Sequence, residues 1–232
     1  MTPSDIQRQL DNPFWSSLVT RHAHLAQGGT LARRYPPAIS PHAGLPGVGP
    51  ENVAALETLV EIGDEMGTAG PFVPRLPGNW ETQFEARLTQ MIRTDTSPLP
   101  QGDVDVSTLG AGDIAEILAL IELTQPGPFR SRAIELGTFL GIREGGRLVA
   151  MAGERMWIGD FREVSAVCTH PDARGRGYAR ALMGRVINRM LRAGETPFLH
   201  VRTSNTQAID IYRTLGFVRR AEFPLLYAKR MS

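Results

Sequence analysis

The sequence predicts a mixed α/β fold of the α+β type, and three observations carry this prediction. The chain has 232 residues, of which 42% are hydrophobic and 21% charged, values typical of a globular protein that buries a core. Residues 139–159 read as two strands joined by Glu144-Gly145-Gly146, which is the signal of a β-hairpin. Residues 163–202 read as strand, turn, helix and strand, so the two strands of this unit should run parallel.

The first hundred residues contain helical patterns separated by stretches rich in proline and glycine. Residues 36–50 and 70–78 hold most of the early proline and glycine and indicate loops. Helices are predicted over three ranges, 11–26, 51–63 and 80–92. The stretch 93–103, RTDTSPLPQGD, reads as a linker.

From residue 104 onward the pattern is more regular. Strands are predicted at 104–109, within 139–159, and at 163–169, 197–203 and 221–229. Helices are predicted at 111–124, 175–193 and 207–215. Asp113 lies near the start of the first of these helices, and Gly216 closes the last.

Composition and charge exclude several classes of protein. The net charge of +1 gives no electrostatic reason to expect nucleic acid as a partner. The single cysteine, Cys168, excludes an internal disulfide and fits a reducing compartment. No apolar run approaches 18 residues, so we expect no membrane partner and a cytoplasmic location. His22 and His24 are two residues apart, which on a helix points them to different faces, so we expect no metal.

A cationic turn, ARGRGYA at residues 173–179, joins the strand at 163–169 to the following helix. Small residues let backbone N–H groups converge, and the helix N-terminus adds partial positive charge, so the turn is a candidate phosphate site. It lacks the Gly-Lys-Ser/Thr ending of a P-loop and the third glycine of a dinucleotide fingerprint. On the turn alone, a glycine-rich connection with solvated arginines stays open as an alternative.

Two segments in order, VCTHPDARGRGYA at 167–179 and NTQAIDIYRTLGF at 205–217, resemble the GCN5-related N-acetyltransferase (GNAT) superfamily, particularly its FR47-like members. The resemblance covers roughly residues 104–230. It implies a central mixed, largely antiparallel sheet splayed between two parallel strands, and it implies acetyl-CoA as co-substrate.

The resemblance also assigns cofactor contacts. The pyrophosphate would lie on the turn, at Arg174, Gly175, Arg176, Gly177, Tyr178 and Ala179. The pantetheine arm would run along the main chains of Ala166, Val167 and Cys168, with a polar contact from Asn205.

Acetyl transfer from a thioester to an amine needs an acid for the thiolate and a base for the amine. The resemblance places Tyr212 beside the cofactor sulfur as the acid, although residues 208, 211, 212 and 215 also form an apolar face that would suit a core tyrosine. Glu163 and His200 both match positions that relatives use for the base. Deprotonation through water stays open as well.

A looser resemblance suggests that residues 1–100 form a degenerate GNAT-like N-terminal domain, which precedes an acetyl-CoA-binding catalytic domain at 101–232. The N-terminal half could form one wall of the acceptor pocket. We therefore expect an N-acetyltransferase that acts on a primary amine of a small molecule, amino acid or peptide, as a monomer or homodimer. The alternative is a non-catalytic acyl-CoA-binding regulatory module.

Overall fold

The computed structural model describes residues 8–232 of the chain. Its α-helices are α1 (Pro13–Val19), α2 (Pro50–Leu59), α3 (Ile114–Thr124), α4 (Tyr178–Arg192) and α5 (Thr206–Thr214). Its first strands are β1 (Gln27–Gly28), β2 (Arg33–Arg34), β3 (Ala43–Gly44), β4 (Glu65–Ala69), β5 (Trp80–Ile92) and β6 (Ser107–Leu109). The remaining strands are β7 (Phe139–Glu144), β8 (Arg147–Ile158), β9 (Phe161–Thr169), β10 (Thr196–Arg202) and β11 (Val218–Arg230).

Most of these strands form one large mixed sheet. Its eight strands lie in the order β4-β11-β5-β10-β9-β8-β7-β6, while β1, β2 and β3 form a small separate sheet. Neighbours in the large sheet are antiparallel except β9 and β10, which are parallel. The predicted fold class is confirmed, as is the parallel pair within residues 163–202.

The predicted helix at 80–92 is wrong, because this segment is the long strand β5. It lies between β10 and β11 and is paired antiparallel with both. Residues such as Glu, Ala, Arg and Leu favour helices weakly, and pairing on both sides outweighs that local preference. A strand signal was present in the alternation of Phe84, Ala86 and Leu88 with polar residues.

The large sheet crosses the predicted domain boundary at residue 100. β4 and β5 come from the first hundred residues, yet both pair with β11, and β5 also pairs with β10. Residues 93–103 form no regular element, as the linker prediction expects. The division into domains stays a prediction, and residues 1–7 lie outside the part of the chain that the structure describes.

Helices cover the two faces of this sheet. Neighbouring residues of a strand point to opposite faces, and on β10 Phe198 packs with Phe14 of α1 whereas Leu199 packs with Leu182 of α4. Thus α1 and α4 lie on opposite faces. Met151 and Cys168 pack with α3, on the side away from α4. The candidate site is built where the strands between these layers separate.

Candidate active site

The loop between β9 and α4 is an exposed turn built around two left-handed glycines. Gly175 and Gly177 both have a φ of 77°, a region that glycine adopts without strain. Within residues 8–232, no group accepts a hydrogen bond from the N–H of Gly175, Arg176 or Gly177. The N–H groups of Tyr178 and Ala179 follow in the first helical turn, where intrahelical acceptors are missing. This arrangement of backbone donors suits an anion such as a phosphate.

Side chains around this turn contact the hairpin of β7 and β8. Arg176 forms an ion pair with Glu144, with Nη1 2.7 Å from Oε1, and the Tyr178 hydroxyl donates to the same oxygen at 2.5 Å. The hydrogen bond from Tyr178, with help from Arg176, lowers the pKa of Glu144. Arg174 makes a long hydrogen bond from Nε to the Thr169 carbonyl at 3.4 Å. The Arg174 guanidinium is therefore more available to a ligand than that of Arg176.

β9 and β10 separate in front of this turn and leave a gap in the sheet, here called the strand gap. Their parallel pairing runs from Thr196 opposite Phe161 to Phe198 opposite Glu163 and stops there. On the other side of β9, the register with β8 shifts at Ala166 and Val167, and Ala166 has a φ of 53°. Two residues of β9 thus oppose one of β8, which is a β-bulge. The bulge frees backbone groups at the edge of the strand gap.

Cys168, the third predicted residue of this strand, points to the opposite face from Val167. Its side chain packs in the cluster with α3, whereas Val167 packs with the cluster of α4. Burial raises the pKa of the Cys168 thiol to about 11, so the thiol is protonated at neutral pH. Its main chain borders the strand gap, while its side chain is part of the core.

The polar residues predicted beyond β10 lie at the start of α5. Asn205 caps this helix, because its Oδ1 accepts a hydrogen bond from the Ala208 N–H at 3.1 Å. Tyr212 is half-buried and packs against the same core cluster as Val167 and Tyr178, so these predicted residues share one region. Burial raises the pKa of Tyr212. The phenol is therefore protonated at neutral pH and has a proton to donate.

Glu163, a predicted base, is a fully buried carboxylate held by an arginine. Arg155 of β8 donates from Nε to Oε2 at 2.7 Å and from Nη2 to Oε1 at 2.6 Å. Burial alone would raise the pKa of Glu163, but the Arg155 charge and the hydrogen bonds from Arg155 and His200 outweigh it. The pKa of Glu163 is consequently held far below its usual range, and the carboxylate is a weak base.

His200, the other predicted base, is in direct contact with Glu163. Its Nδ1 lies 2.7 Å from Oε1 of Glu163, and its Nε2 lies 3.1 Å from Nε2 of Gln90. The Gln90 nitrogen also donates to the Leu10 carbonyl, which identifies it as an amide NH₂. Hence His200 donates from Nδ1 and accepts at Nε2. Both ring nitrogens are engaged, and the side chain is 2% exposed.

A small cavity of about 40 Å³ lies against the β9 bulge, and Ile39 and Ser40 bring the first hundred residues to its lining. Ser165 and Ala166 line it from β9, beside the bulge. The other lining residues are Ile121, Pro126, Gly127, Pro128, Phe129, Ala133, Leu136, Phe139, Glu154 and Arg155. Ten of the fourteen lining residues have no polar side chain, although about half of the lining surface is polar. The sequence reasoning missed Ser40 and Arg155. No local motif marks either residue, since each reaches the cavity through the tertiary fold.

Residues 8–232 contain neither a cluster of metal ligands nor a membrane-spanning helix. No group of three or more His, Cys, Asp or Glu side chains there is arranged to hold a metal ion. None of the helices in that range has both the length and the apolar character needed to cross a membrane.

Comparisons with known proteins agree with this architecture. The model of the FR47-like protein family matches residues 139–223. N-alpha-acetyltransferase RimI of Mycobacterium tuberculosis is 36% identical over 84 residues, which are 35% of this chain and 52% of that protein. The chain therefore matches about half the length of this curated relative.

Solved structures match over nearly the whole chain. A protein from Novosphingobium aromaticivorans assigned to the GNAT acetyltransferases is 37% identical, covers 97% of this chain with 99% of its own, and has a TM-score of 0.87. A GCN5-related N-acetyltransferase from Kribbella flavida is 16% identical, with 94% of both chains covered and a TM-score of 0.59, and shows the shared fold. These matches, with the strand gap and the turn, define the fold of an N-acetyltransferase. The chain belongs to the GNAT family of N-acetyltransferases, with an FR47-like region at residues 139–223.

Proposed function

We propose that the protein transfers an acetyl group from acetyl-CoA to the primary amine of a small molecule, amino acid or peptide. The observation that carries this proposal is the strand gap between β9 and β10, which opens directly in front of the donor-rich turn. A long ligand with a diphosphate at one end and a thioester at the other would find backbone donors for the diphosphate at the turn. Its thioester would lie in the strand gap, beside the backbone groups that the bulge frees. Membership of the GNAT family supports the same chemistry.

The turn would bind the pyrophosphate through the N–H groups of Gly175, Arg176, Gly177, Tyr178 and Ala179 and through the Arg174 guanidinium. The left-handed glycines have open space around them, with no atom within 4 Å of a Cβ built at either position, so a ligand can approach the backbone closely. Arg176 would exchange its Glu144 partner for a phosphate oxygen. Ala166, Val167 and Cys168 would contact the pantetheine arm through their main chains, and Asn205 through its unused amide nitrogen.

Two groups near the strand gap fit the requirements of thioester chemistry. The bulge at Ala166 and Val167 frees backbone N–H groups that would stabilise the oxyanion of the tetrahedral intermediate. Tyr212 would donate its proton to the leaving thiolate, and its raised pKa ensures that the proton is present.

The assignment of Glu163 or His200 as the general base stays a prediction. Both side chains are buried and fully hydrogen-bonded, to each other and to Arg155 and Gln90. These contacts favour a role in positioning Arg155, whose side chain is 18% exposed and lines the cavity.

The acceptor would enter through the cavity, because Ser165 and Ala166 line it at the β9 bulge, where the thioester would lie in the proposed complex. The small volume of the cavity favours a slim, unbranched primary amine. Ile39 and Ser40 bring the first hundred residues to this lining, which supports the expectation that they wall the acceptor pocket.

The first test is the thermal shift of the purified protein with acetyl-CoA, CoA, ATP or NAD. A ligand that binds the folded state stabilises it by about 2.7 kcal/mol at a hundred times its Kd. We expect a rise in Tm with the two CoA species alone. No shift with either CoA species would overturn the cofactor assignment.

The second test is a screen of primary amines by release of the CoA thiol. Turnover with at least one amine is the expected result and identifies the acceptor class. Binding of acetyl-CoA without thiol release from any amine would favour the regulatory module instead.

A further inference from the structure

Three side chains, those of Ser40, His42 and Tyr227, form a line of hydrogen bonds that reaches the cavity at Ser40. Ser40 Oγ lies 2.6 Å from Nδ1 of His42, and Nε2 of His42 lies 2.7 Å from the Tyr227 hydroxyl. The His42 ring stacks on Phe14 with ring centroids 4.3 Å apart, and a Cβ at Gly67 would overlap the Tyr227 ring. These contacts fix the positions of Ser40, His42 and Tyr227, which are together called the Ser40 relay below.

The hydrogen bonds in the relay have a preferred direction. The backbone N–H of His42 also lies 3.4 Å from Ser40 Oγ, so this oxygen receives one hydrogen and is free to donate its own to Nδ1. The ring hydrogen is then on Nε2 and is donated to Tyr227. Burial, followed by the charge of Arg155, lowers the pKa of His42, although Glu163 opposes the shift. The imidazole is thus neutral at pH 7 and a weaker base than an exposed histidine, with its Nδ1 lone pair directed at Ser40.

Ser40 is the polar lining group that is hydrogen-bonded to a neutral base. Arg155 is a cation, and the Glu154 carboxylate is occupied by a hydrogen bond from Arg189. The structure records no hydrogen-bonded base beside Ser165 among residues 8–232. Because the remaining lining is apolar, an amine nitrogen in the cavity has Ser40 as its route to a proton acceptor.

We propose that Ser40 is a catalytic residue that takes the proton of the acceptor nitrogen and passes its own proton to His42. The inference rests on the proposed function and names the base that it requires. His42 acts through Ser40, and Tyr227 fixes the tautomer and orientation of the imidazole, so both are positioning residues.

In this reaction the proton leaves the acceptor nitrogen after the new C–N bond has formed. The amine nitrogen bonds to the thioester carbon, and the carbonyl electron pair moves to oxygen. The resulting ammonium loses a proton to Ser40 Oγ while the Ser40 hydroxyl proton moves to Nδ1 of His42. The oxyanion then re-forms the carbonyl as the C–S bond breaks, and the thiolate takes a proton from Tyr212. The His42 imidazolium passes its proton through water to the Tyr212 phenolate, so both groups are neutral again.

The test compares turnover of ethylamine, glycinamide and trifluoroethylamine, which are primary amines of decreasing basicity. A base matters most for the strongly basic amines, because the ammonium that they form in the adduct is the least acidic. We expect Ser40→Ala to lower kcat with ethylamine by about a hundredfold and with trifluoroethylamine by much less. His42→Gln should show the same dependence on the amine, and Tyr227→Phe a smaller one.

The chain contains a matched control. Ser17, His22 and Tyr35 form a buried cluster of the same three residue types, with Ser17 Oγ 2.9 Å from the Tyr35 hydroxyl, and none of them lines the cavity. We expect Ser17→Ala to leave the dependence on amine basicity unchanged. The thermal shift with acetyl-CoA establishes that each variant is folded.

The outcomes separate the relay from the proposed function. If wild type turns over the amines and Ser40→Ala lowers all three rates equally or not at all, the relay is wrong and the proposed function stands. If wild type releases no thiol with these amines or with any amine of the screen, the proposed function is overturned and the relay with it. A selective loss with the basic amines supports both.

Discussion

Arg155 and Glu163 form a two-point ion pair inside the sheet, with nitrogen–oxygen distances of 2.7 and 2.6 Å and a carboxylate that has no exposed surface. The pair links β8 to β9 at the residue where β9 loses its pairing with β10. His200 completes the hydrogen bonding of the carboxylate from β10. The charge pair therefore joins the three strands at the base of the strand gap.

Glu163→Gln is expected to destabilise the protein by about 3–5 kcal/mol, because it leaves the Arg155 charge buried without a partner. Urea unfolding followed by circular dichroism measures this loss. Glu222→Gln is the matched control, since Glu222 forms an exposed pair with Arg87 at 3.6 Å and should cost at most about 1 kcal/mol. Equal effects from the two variants would contradict the role given to the buried pair.

Gly177→Ala is expected to abolish the stabilisation by CoA. An L-residue at a φ of 77° is strained by about 1–2 kcal/mol, and its Cβ enters the space from which a phosphate approaches. Gly194→Ala has the same strain, at a φ of 73° with equally open surroundings, but it lies at the far end of α4. Both variants should therefore lose similar stability, whereas the thermal shift with CoA should persist in Gly194→Ala. Persistence in both would contradict the phosphate assignment.

Tyr212→Phe is expected to lower kcat by at least about a hundredfold while the KM for acetyl-CoA changes little. The ring would keep its packing against Phe217, with ring centroids 6.3 Å apart, so the loss should come from the missing hydroxyl proton. Steady-state thiol release measures both constants. An unchanged kcat would show that Tyr212 is a core residue without a role in proton transfer.

The buried His22 should make the protein less stable in acid. Burial, followed by the charge of Arg162, lowers the pKa of His22 to about 4. The unfolded state takes up a proton near pH 6.5, so stability is fully present above this pH and is lost as the pH falls towards about 4. The full effect is about 3 kcal/mol. Urea midpoints between about pH 7 and pH 4.5 should show a shallower loss in His22→Asn than in wild type, and parallel curves would refute the effect.

Residues 101–232 alone are expected to form an insoluble or unfolded chain. Removal of the first hundred residues takes β5 from between β10 and β11 and leaves the facing edges of these two strands without hydrogen-bond partners. Circular dichroism and size-exclusion chromatography of the fragment test this. A folded, monomeric fragment that binds CoA would instead support two separable domains.

The second half of the fold was predictable because its signals are local. The hairpin turn has Gly145 and Gly146 at φ values of 56° and 86°, and the glycine pair in the sequence indicates that turn directly. The βαβ unit follows from the order of its elements. By contrast, β5 reads as a helix because its hydrogen-bond partners lie more than a hundred residues away, and local propensity carries no information about them.

The candidate site likewise contains some residues that a local motif marks and others that only the tertiary fold brings together. The turn at Arg174 to Ala179 is contiguous, so its glycines and arginines can be recognised together. Ser40 and Arg155 reach one cavity from distant parts of the chain, and neither lies in a motif. Glu163 and His200 were singled out from the sequence, but their burial and mutual hydrogen bond depend on the register of three strands.

The position of β5 at the centre of the sheet also determines when the chain can fold. Gln90 and His200, which are hydrogen-bonded across β5 and β10, are 110 residues apart in sequence. Closing such long loops is slow, and β11 must arrive before β4 has a neighbour in the large sheet and before β5 is paired on both sides. On the ribosome, β4 and β5 must therefore wait with unpaired edges until β10 and β11, more than a hundred residues later, have been synthesised. We expect this interval to be the period in which the nascent chain most needs protection from aggregation.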